Sequence, residues 1–314
     1  MKFSFMTPSP WLQSLEGKHV LITGGSSGIG LAIAKEALSQ GAFVTLVARS
    51  STKLEKAEQN LVKDGATKHK ISTKVADVGV YETLAKAIKE SFEWRAVDVL
   101  VCNAGVGKTG LLDESRIEDL HAIIQTNLTG VVNTLHIGIP LMKQRSPQTP
   151  MSIVLMNSLS GLYFLYGNSV YTATKHALKG LGETLKLELM PYSIRISMVF
   201  PGYVDTPMLD DSGMEDNRDT LQMIKATTSY NRHQAKTPEQ VAKYTLEATK
   251  NGTFLVTSKF GGLMLSTLSR GPMPAGTLGR ALVELILYIP IRLLSFLAFF
   301  YVHYVTGHRK NKKC

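Results

Sequence analysis

The chain has 314 residues, of which 44% are hydrophobic and 19% charged, a composition that excludes disorder through most of its length. Its formal net charge is +10, yet the tail segment 309–313 supplies four of these charges, and the remaining +6 (10 − 4) shows no interleaving with aromatic residues, which argues against a nucleic-acid partner. Only Cys102 and Cys314 are present, too few for a disulfide framework or a zinc site, so we expect a reducing compartment and no metal.

The first 16 residues carry Pro8 and Pro10 and contain no long apolar run. Neither a signal peptide nor a membrane span is therefore expected there. We assign residues 1–16 to an N-terminal extension.

From Lys18 onward, short β-branched runs alternate with helical patterns, which is typical of βαβ units. The patterns predict strands over 19–23, 43–48, 71–75, 98–102, 152–157 and 195–200. They predict helices over 29–40, 53–63, 81–93, 117–142 and 169–190. This order indicates an α/β fold, a doubly wound parallel sheet of the Rossmann type.

Beyond Pro201 the pattern changes, because residues 205–236 are polar and lack a clean period. We interpret them as a loop or lid over the strand ends. Thr237 then offers an N-cap, Pro238 a first helical position and Gln240 a capping box, which predicts a helix to about residue 250. A last strand over 254–257 would complete one domain that spans 17–260.

A glycine-rich turn, Thr23 to Gly30, follows the first strand and opens the first helix. Glycines let the backbone approach a pyrophosphate, and a helix N-terminus offers free N–H groups. The turn therefore predicts a nucleotide site, although such turns also join strand to helix without binding anything. Its cofactor-binding residues are predicted to be Gly24, Ser26, Ser27, Gly28, Ile29 and Gly30.

The end of the second strand indicates which dinucleotide fits. An NAD site usually has an acidic residue there, whereas this chain has Arg49, with Lys53 four residues later. Two cations suit a ribose phosphate and favour NADPH, unless both are solvated surface charges. Asp77, just after the third strand, is a candidate for the adenine amino group or a simple turn cap.

Tyr171 is followed four residues later by Lys175 within a helical pattern, so both side chains share one helix face. A nearby cation lowers the pKa of a phenol toward working pH, as a proton donor requires. The alternative is a chance surface pair.

Two further polar residues occupy informative positions. Ser158 lies at the end of the fifth strand, thirteen residues ahead of Tyr171, where ligands of open α/β sheets bind, and its hydroxyl would hydrogen-bond a substrate carbonyl. Asn127 lies mid-helix, where an amide is unfavourable unless it binds backbone or water. An ordinary satisfied core amide is the alternative for Asn127.

Together these residues resemble the short-chain dehydrogenase/reductase family from about Gly17 to Thr206. The matching motifs are the glycine turn, Asn103-Ala104-Gly105, Pro201-Gly202 and the four catalytic positions Asn127, Ser158, Tyr171 and Lys175. The resemblance extends the predicted cofactor site by Val78, Asn103, Tyr171, Lys175 and Thr206.

The resemblance also implies a mechanism. NADPH would deliver hydride to a ketone held by Ser158 and Tyr171, and Tyr171 would give the proton. Lys175 would contact the nicotinamide ribose and lower the phenol pKa, while Asn127 would hold a water that relays protons.

The segment 262–274 resembles a stretch of the 3-ketodihydrosphingosine reductases, as do 43–53 and 289–294. This likeness implies NADPH-dependent reduction of a long-chain keto-lipid, 3-ketodihydrosphingosine, in sphingolipid synthesis. A reductase of steroids, retinoids or other lipid ketones is an alternative. So is a non-catalytic dinucleotide- or lipid-binding module, although such a module has no need of a matched acid.

The segment 281–305 is mostly apolar, but its longest uncharged piece, 293–302, has ten residues, about half of what a span needs. We therefore predict that 261–306 inserts into a membrane as a re-entrant or interfacial segment, which enters and leaves by one face or crosses an even number of times. The alternative is a helix that packs on the core or on a dimer partner.

The basic tail 307–314 carries lysines at the third and fifth positions from the end. This spacing resembles the dilysine retrieval signal and predicts the endoplasmic reticulum membrane, with the catalytic domain facing the cytosol. A solvated charge run is the alternative. We also expect a homo-oligomer.

Overall fold

A computed structural model describes residues 11–146, 148–214, 218–227, 232–257, 286, 288–290 and 293. Its centre is a seven-stranded sheet with the order β3-β2-β1-β4-β5-β6-β7, in which every neighbouring pair is parallel. The predicted α/β fold with a doubly wound, Rossmann-type sheet is confirmed.

The strands are short and consist mainly of buried apolar residues, as expected where helices cover both faces of a sheet. The six predicted strands form within one residue of their expected bounds, and the last strand is also present. They are β1 His19–Thr23, β2 Phe43–Ala48, β3 Ile71–Val75, β4 Val99–Cys102, β5 Met151–Met156, β6 Ile194–Phe200 and β7 Leu255–Thr257.

The helices alternate with the strands and pack on both faces of the sheet. They are α1 Gly28–Ser39, α2 Ser51–Lys63, α3 Tyr81–Trp94, α4 Ile117–Ile124, α5 Gly130–Lys143, α6 Ser169–Glu188, α7 Pro207–Asp211, α8 Arg218–Thr227 and α9 Pro238–Asn251. One apolar core lies between the sheet and α3, α5 and α6, and a second lies between the sheet and α1, α2 and α9. Because all neighbouring strands are parallel, their carboxyl ends lie at one edge of the sheet.

The single long helix predicted over 117–142 is interrupted. A π-helical turn, Gln125–Thr129, joins α4 to α5, and it contains Asn127. Such turns are often found at functional sites. The apolar periodicity of the sequence did not reveal it, because one extra residue in a turn changes that pattern very little.

Residues 11–15 pack against the domain although the sequence placed them in an N-terminal extension. The Trp11 indole donates a hydrogen bond to the Met151 carbonyl at 3.0 Å, and the Leu12 amide donates to the Lys250 carbonyl at 2.8 Å. Leu12 and Leu15 are each 1% exposed. Residues 11–15 therefore belong to the packed domain.

The segment 205–236, interpreted from the sequence as a loop or lid over the strand ends, contains the helices α7 and α8, which the sequence did not predict. Ile224 is buried against Met214, with Leu165 and Tyr203 beside them. Leu165 and Tyr203 come from distant segments, and these contacts stabilise α8. The sequence of this segment shows no clear helical periodicity. The capping box of α9 is confirmed, since Gln240 donates its N–H to Thr237 Oγ1 and its side chain accepts the Thr237 N–H.

The predicted membrane-associating segment, 261–306, lies outside the described residues except at 286, 288–290 and 293, and the basic tail lies wholly outside them. Within the part of the chain that the structure describes, no helix has the length and apolar character needed to cross a membrane.

Candidate active site

A cavity of about 970 Å³ opens at the carboxyl ends of the strands, between the glycine turn, the ends of β4 and β5, the start of α6 and the segment 201–214. Its volume matches that of cofactor and ligand pockets in general. It lies beside β1 and β4, where the strand order reverses and open α/β sheets bind ligands.

The glycine turn has a shape that only glycines allow. Gly24 has a positive φ of +67°, and a Cβ added there would lie 2.8 Å from Ala104 Cα. A Cβ added at Gly30 would lie 2.6 Å from Asn103 Nδ2. The Asn103 amide in turn donates to the carbonyls of Thr23 and Gly24, each at 3.1 Å. Asn103 therefore fastens the turn to the end of β4.

The N-terminus of α1 faces the same cavity. Ser27 is its N-cap, and the Ser27 side chain makes no capping hydrogen bond, so the first N–H groups of the helix are available to an anion. Ser26, Ser27, Gly28 and Ile29 line the cavity, whereas Gly30 lies behind the turn. This cradle fits a pyrophosphate. Thr206 completes it, since a Cβ added at Gly28 would lie 3.3 Å from Thr206 Cγ2.

The predicted ribose and adenine residues lie together at one end of the cavity, beside Val78. Arg49 Nη1 is 3.8 Å from Asp77 Oδ2, and the Arg49 side chain is 63% exposed. Asp77 Oδ1 accepts the Gly79 N–H at 2.8 Å, so this carboxylate caps a turn, the alternative considered for it. Lys53 lies in the first turn of α2 and also lines the cavity.

Ser158 is held by hydrogen bonds to two residues close to it in sequence, Asn157 and Ser160. The Ser158 N–H donates to Asn157 Oδ1 at 2.9 Å, and Ser158 Oγ accepts the Ser160 N–H at 3.2 Å. Because one lone pair of the hydroxyl is occupied in this way, its hydrogen is directed toward another acceptor.

Tyr171 and Lys175 lie on one face of α6, as their spacing predicted. Lys175 Nζ donates to the Met156 carbonyl at 2.9 Å and is 5.5 Å from the centroid of the Tyr171 ring. Burial lowers the pKa of Lys175 to about 8 from its usual 10.5, because a charged group is less stable away from water.

The pKa of Tyr171 does not move in the expected direction. Burial raises it above the usual value of 10, and a hydrogen bond with the Ser158 side chain offsets only part of the increase. The predicted lowering by Lys175 is therefore wrong for the protein alone. The Lys175 ammonium is directed at the Met156 carbonyl, and burial lowers the pKa of Lys175 itself.

Asn127 is fully buried in the π-helical turn, and its side chain does not line the cavity. Its Oδ1 accepts the Val106 N–H at 2.8 Å, and its Nδ2 donates to the Val106 carbonyl at 2.9 Å. These bonds match the alternative of a satisfied core amide and hold the loop that follows β4. The water relay stays a prediction.

The sequence did not single out the apolar wall of the cavity. Its side chains come from the loop before α6 and from the segment that contains α7, neither of which has a periodic pattern. They include Tyr163, Phe164, Leu165, Met208, Leu209 and Met214. Asn157 and Ser160, on either side of Ser158, were also missed, because single polar residues in a loop carry no pattern.

Comparison with known proteins gives a consistent result. The family model for short chain dehydrogenases matches residues 18–217. A 3-dehydrosphinganine reductase of Arabidopsis thaliana is 36% identical over 288 residues, which cover 92% of this chain and 85% of that protein. A 3-ketodihydrosphingosine reductase of Mus musculus is 32% identical over 297 residues, which cover 94% and 86% of the two chains.

One solved structure shares the fold. It is a short chain dehydrogenase/reductase from Burkholderia phymatum in complex with NAD, with a TM-score of 0.71 and 25% identity. The match covers 84% of this chain and 99% of that chain.

Proposed function

We propose that this chain, which belongs to the short chain dehydrogenase family, reduces the keto group of 3-ketodihydrosphingosine to dihydrosphingosine with NADPH, a step of sphingolipid synthesis. The chain is an oxidoreductase by its family, and similarity to the 3-dehydrosphinganine reductases along more than nine-tenths of its length supports this substrate.

One observation carries the proposal. The glycine turn, the pair Ser158 and Tyr171, and a long apolar wall line the same cavity. A dinucleotide, a ketone and an alkyl chain would thus meet in one place. Apolar side chains such as Phe164 and Met208 suit the tail of a long-chain lipid, since its burial removes apolar surface from water.

The residues of the cavity fit a nicotinamide dinucleotide, because the backbone of the glycine turn and the N-terminus of α1, where the Ser27 side chain makes no capping hydrogen bond, form a cradle for a pyrophosphate. Arg49 and Lys53 would hold a ribose phosphate at the far end. NADPH, when bound, supplies the hydride. All other chemistry comes from side chains of this protein.

Ser158 would donate its hydroxyl hydrogen to the ketone oxygen, since the Ser160 N–H already occupies one lone pair of Ser158 Oγ. Tyr171 would then give its phenolic proton to that oxygen as negative charge develops there. Lys175, 5.5 Å from the phenol ring, would stabilise the resulting tyrosinate through its positive charge.

Incubation of the purified full-length protein with 3-ketodihydrosphingosine and NADPH tests this proposal. We expect NADPH absorbance to fall and dihydrosphingosine to form in equal amounts, as measured by mass spectrometry. Binding of NADPH without turnover of any lipid ketone would instead support a non-catalytic module.

Cofactor choice gives a separate prediction. Arg49→Ala should weaken binding of NADPH far more than that of NADH, and Lys53→Ala should do so less strongly. A charge-assisted hydrogen bond to the phosphate is worth about 1.5 to 3 kcal/mol, and NADH has no such phosphate.

Titration calorimetry with each cofactor measures the two affinities. Lys56→Ala is the matched control, because Lys56 is exposed on α2 but does not line the cavity. An equal loss of affinity for NADH and NADPH would contradict the phosphate assignment.

The location and assembly of the protein also enter this proposal. Segment 261–306 would rest in the endoplasmic reticulum membrane, with its basic tail on the cytosolic side, where anionic lipid attracts it. If the cavity opened at the membrane surface, the lipid tail would reach it without entering water. Assembly into a homo-oligomer stays a prediction, which sedimentation of the purified protein would test.

Truncation after Thr277 is expected to release the protein from membranes, because it removes most of the apolar segment and the whole basic tail. Fractionation of cell extracts measures the release, and enzyme activity of the soluble fraction shows whether the domain stays folded.

Protease treatment of sealed microsomes that carry the full chain tests the topology. The catalytic domain and a C-terminal tag should be digested together. A protected tag beside a digested catalytic domain would contradict the one-face arrangement.

A further inference from the structure

Three carboxylates among the described residues line the cavity, and one of them has no cationic partner there. Asp77 Oδ2 is 3.8 Å from Arg49 Nη1, at the predicted adenine end. Asp119 accepts two hydrogen bonds from Arg116, at 3.0 and 3.1 Å. Asp211, the last residue of α7, forms no ion pair with any residue that the structure describes. Since the few polar groups of a ligand cavity orient the ligand, this carboxylate is a candidate for binding a cationic group.

Asp211 lies on the side of α7 that faces the cavity. It follows Met208 by three residues, so the two side chains share one side of the helix. The Met208 side chain lies against the loop after β4, because a Cβ added at Gly105 would be 3.5 Å from Met208 Cε. The adjacent Asp210 does not line the cavity and pairs with Arg232 instead. Asp211 is exposed, so a ligand in the cavity has access to it.

Hydrogen bonds connect the end of α7 to the helix that carries the proposed proton donor. The Thr109 N–H donates to the carbonyl of Ser212, the residue after Asp211, at 2.9 Å. The Thr109 hydroxyl donates to Asn168 Oδ1 at 3.4 Å. Asn168 is the N-cap of α6, and Tyr171 lies in the first turn of that helix. The carboxylate of Asp211 and the phenol of Tyr171 therefore belong to adjoining walls of one cavity.

One cation lies close to Asp211 but does not pair with its carboxylate. Lys108 Nζ donates to the Asp211 backbone carbonyl at 2.6 Å, at the end of α7, where carbonyls lack partners within the helix. The pKa of Asp119 is held below its usual value by the hydrogen bond from Arg116 and, to a smaller extent, by the charge of Lys108. The Lys108 charge weakens the attraction of Asp211 for a second cation, yet it leaves the carboxylate oxygens available.

We propose that Asp211 binds the ammonium group of the substrate and thereby determines its selectivity for an amino ketone. This inference rests on the proposed function. In 3-ketodihydrosphingosine the carbon next to the ketone carries the ammonium, and the alkyl chain begins on the other side of the ketone. A ketone held by Ser158 and Tyr171 therefore directs its ammonium and its tail to different parts of the cavity. The ammonium is the one cation of this substrate, and a carboxylate is its natural partner.

Two ketones with the same carbon chain test this role. They are 3-ketodihydrosphingosine and the analogue in which hydrogen replaces only the amino group. The kcat/KM of the full-length protein for each ketone is followed through NADPH absorbance in identical micelles, slightly below neutral pH, where the amino group is charged. The selectivity of a variant is the ratio of the two kcat/KM values, so a general loss of activity cancels.

Asp211→Asn, which removes the charge and keeps the size of the side chain, should lower the selectivity for the amino ketone about tenfold. This is the low end for a hydrogen bond between charged groups, because Lys108 lies close by. Asp210→Asn is the matched control, since it removes the same charge from the adjacent residue of α7, which does not line the cavity. The control should keep the selectivity of the unaltered protein. Both aspartates are exposed, so neither variant removes a buried contact.

The outcomes separate the two proposals. Unchanged selectivity of Asp211→Asn would overturn the role of Asp211 and leave the proposed function standing. An equal fall in Asp210→Asn would also overturn it, since the cause would then be the general field of the protein. Equal kcat/KM of the unaltered protein for both ketones would have the same meaning. No turnover of either ketone by the unaltered protein would remove the proposed function, and the role of Asp211 with it.

Discussion

Tyr171→Phe is expected to lower kcat for ketone reduction by about 10²- to 10⁴-fold, the usual contribution of a general acid. Only the phenolic hydroxyl is lost, so the ring still fills its place on α6. Because the pKa of Tyr171 is raised by burial, the phenol stays protonated across the neutral range and is ready to donate.

Single-turnover kinetics with saturating NADPH measure this change, and calorimetry should show cofactor binding nearly intact. Tyr192→Phe is the control, because Tyr192 is an exposed tyrosine that does not line the cavity. Near-normal turnover by the Tyr171 variant would remove the proton-donor assignment.

Lys175→Met should lower kcat by about 10²- to 10³-fold, which is typical when a preorganised electrostatic contact to developing charge is removed. The side chains are of similar length, but the variant loses the ammonium and leaves the Met156 carbonyl without its hydrogen bond. A loss of only a fewfold would indicate that Lys175 is a packing residue.

The pH profile provides an independent measure of the same residue. Since the ammonium is the active form, and burial lowers the pKa of Lys175 to about 8, the rate of the unaltered protein should fall as pH rises through about 8. The Lys175→Met variant should lack this step. A flat profile of the unaltered protein across that range would contradict the assignment.

The free energy of unfolding should change with pH in the direction opposite to the reaction rate. The pKa of Lys175 is lower in the folded than in the unfolded chain, so the unfolded chain binds more protons between about pH 8 and 10.5. The cost of burying this charge is fully present below pH 8, and the free energy of unfolding should rise with pH across that window. Urea denaturation of the protein and of the variant, compared at both ends of the window, measures the difference.

Local chemistry made much of the fold predictable. The strands β1 to β6 were predicted within one residue because buried parallel strands are continuous β-branched runs bounded by turns. The capping box of α9 lies within four consecutive residues, and the glycine turn is also contiguous. The spacing of Tyr171 and Lys175 sets their common helix face without reference to any other part of the chain.

Tertiary contacts decided the rest. The helix α8 depends on the burial of Ile224 in a cluster that Leu165 and Tyr203 join from distant segments. The N-terminal segment depends on hydrogen bonds from Trp11 and Leu12 to residues far along the chain. A local pattern cannot contain such information, because the partners are brought together only when the sheet forms.

For the site as well, some features follow from the sequence and others only from the tertiary structure. The sequence by itself determined the parallel fold through its residue pattern. It predicted the nucleotide cradle and the set Ser158, Tyr171 and Lys175 from residue type and spacing together with the resemblance to a known family. Only the tertiary structure decided that the pKa of Tyr171 rises and that Asp211 lines the cavity without an ion pair to another described residue. The physical reason is that desolvation and the pairing of charges depend on which atoms surround a group in three dimensions.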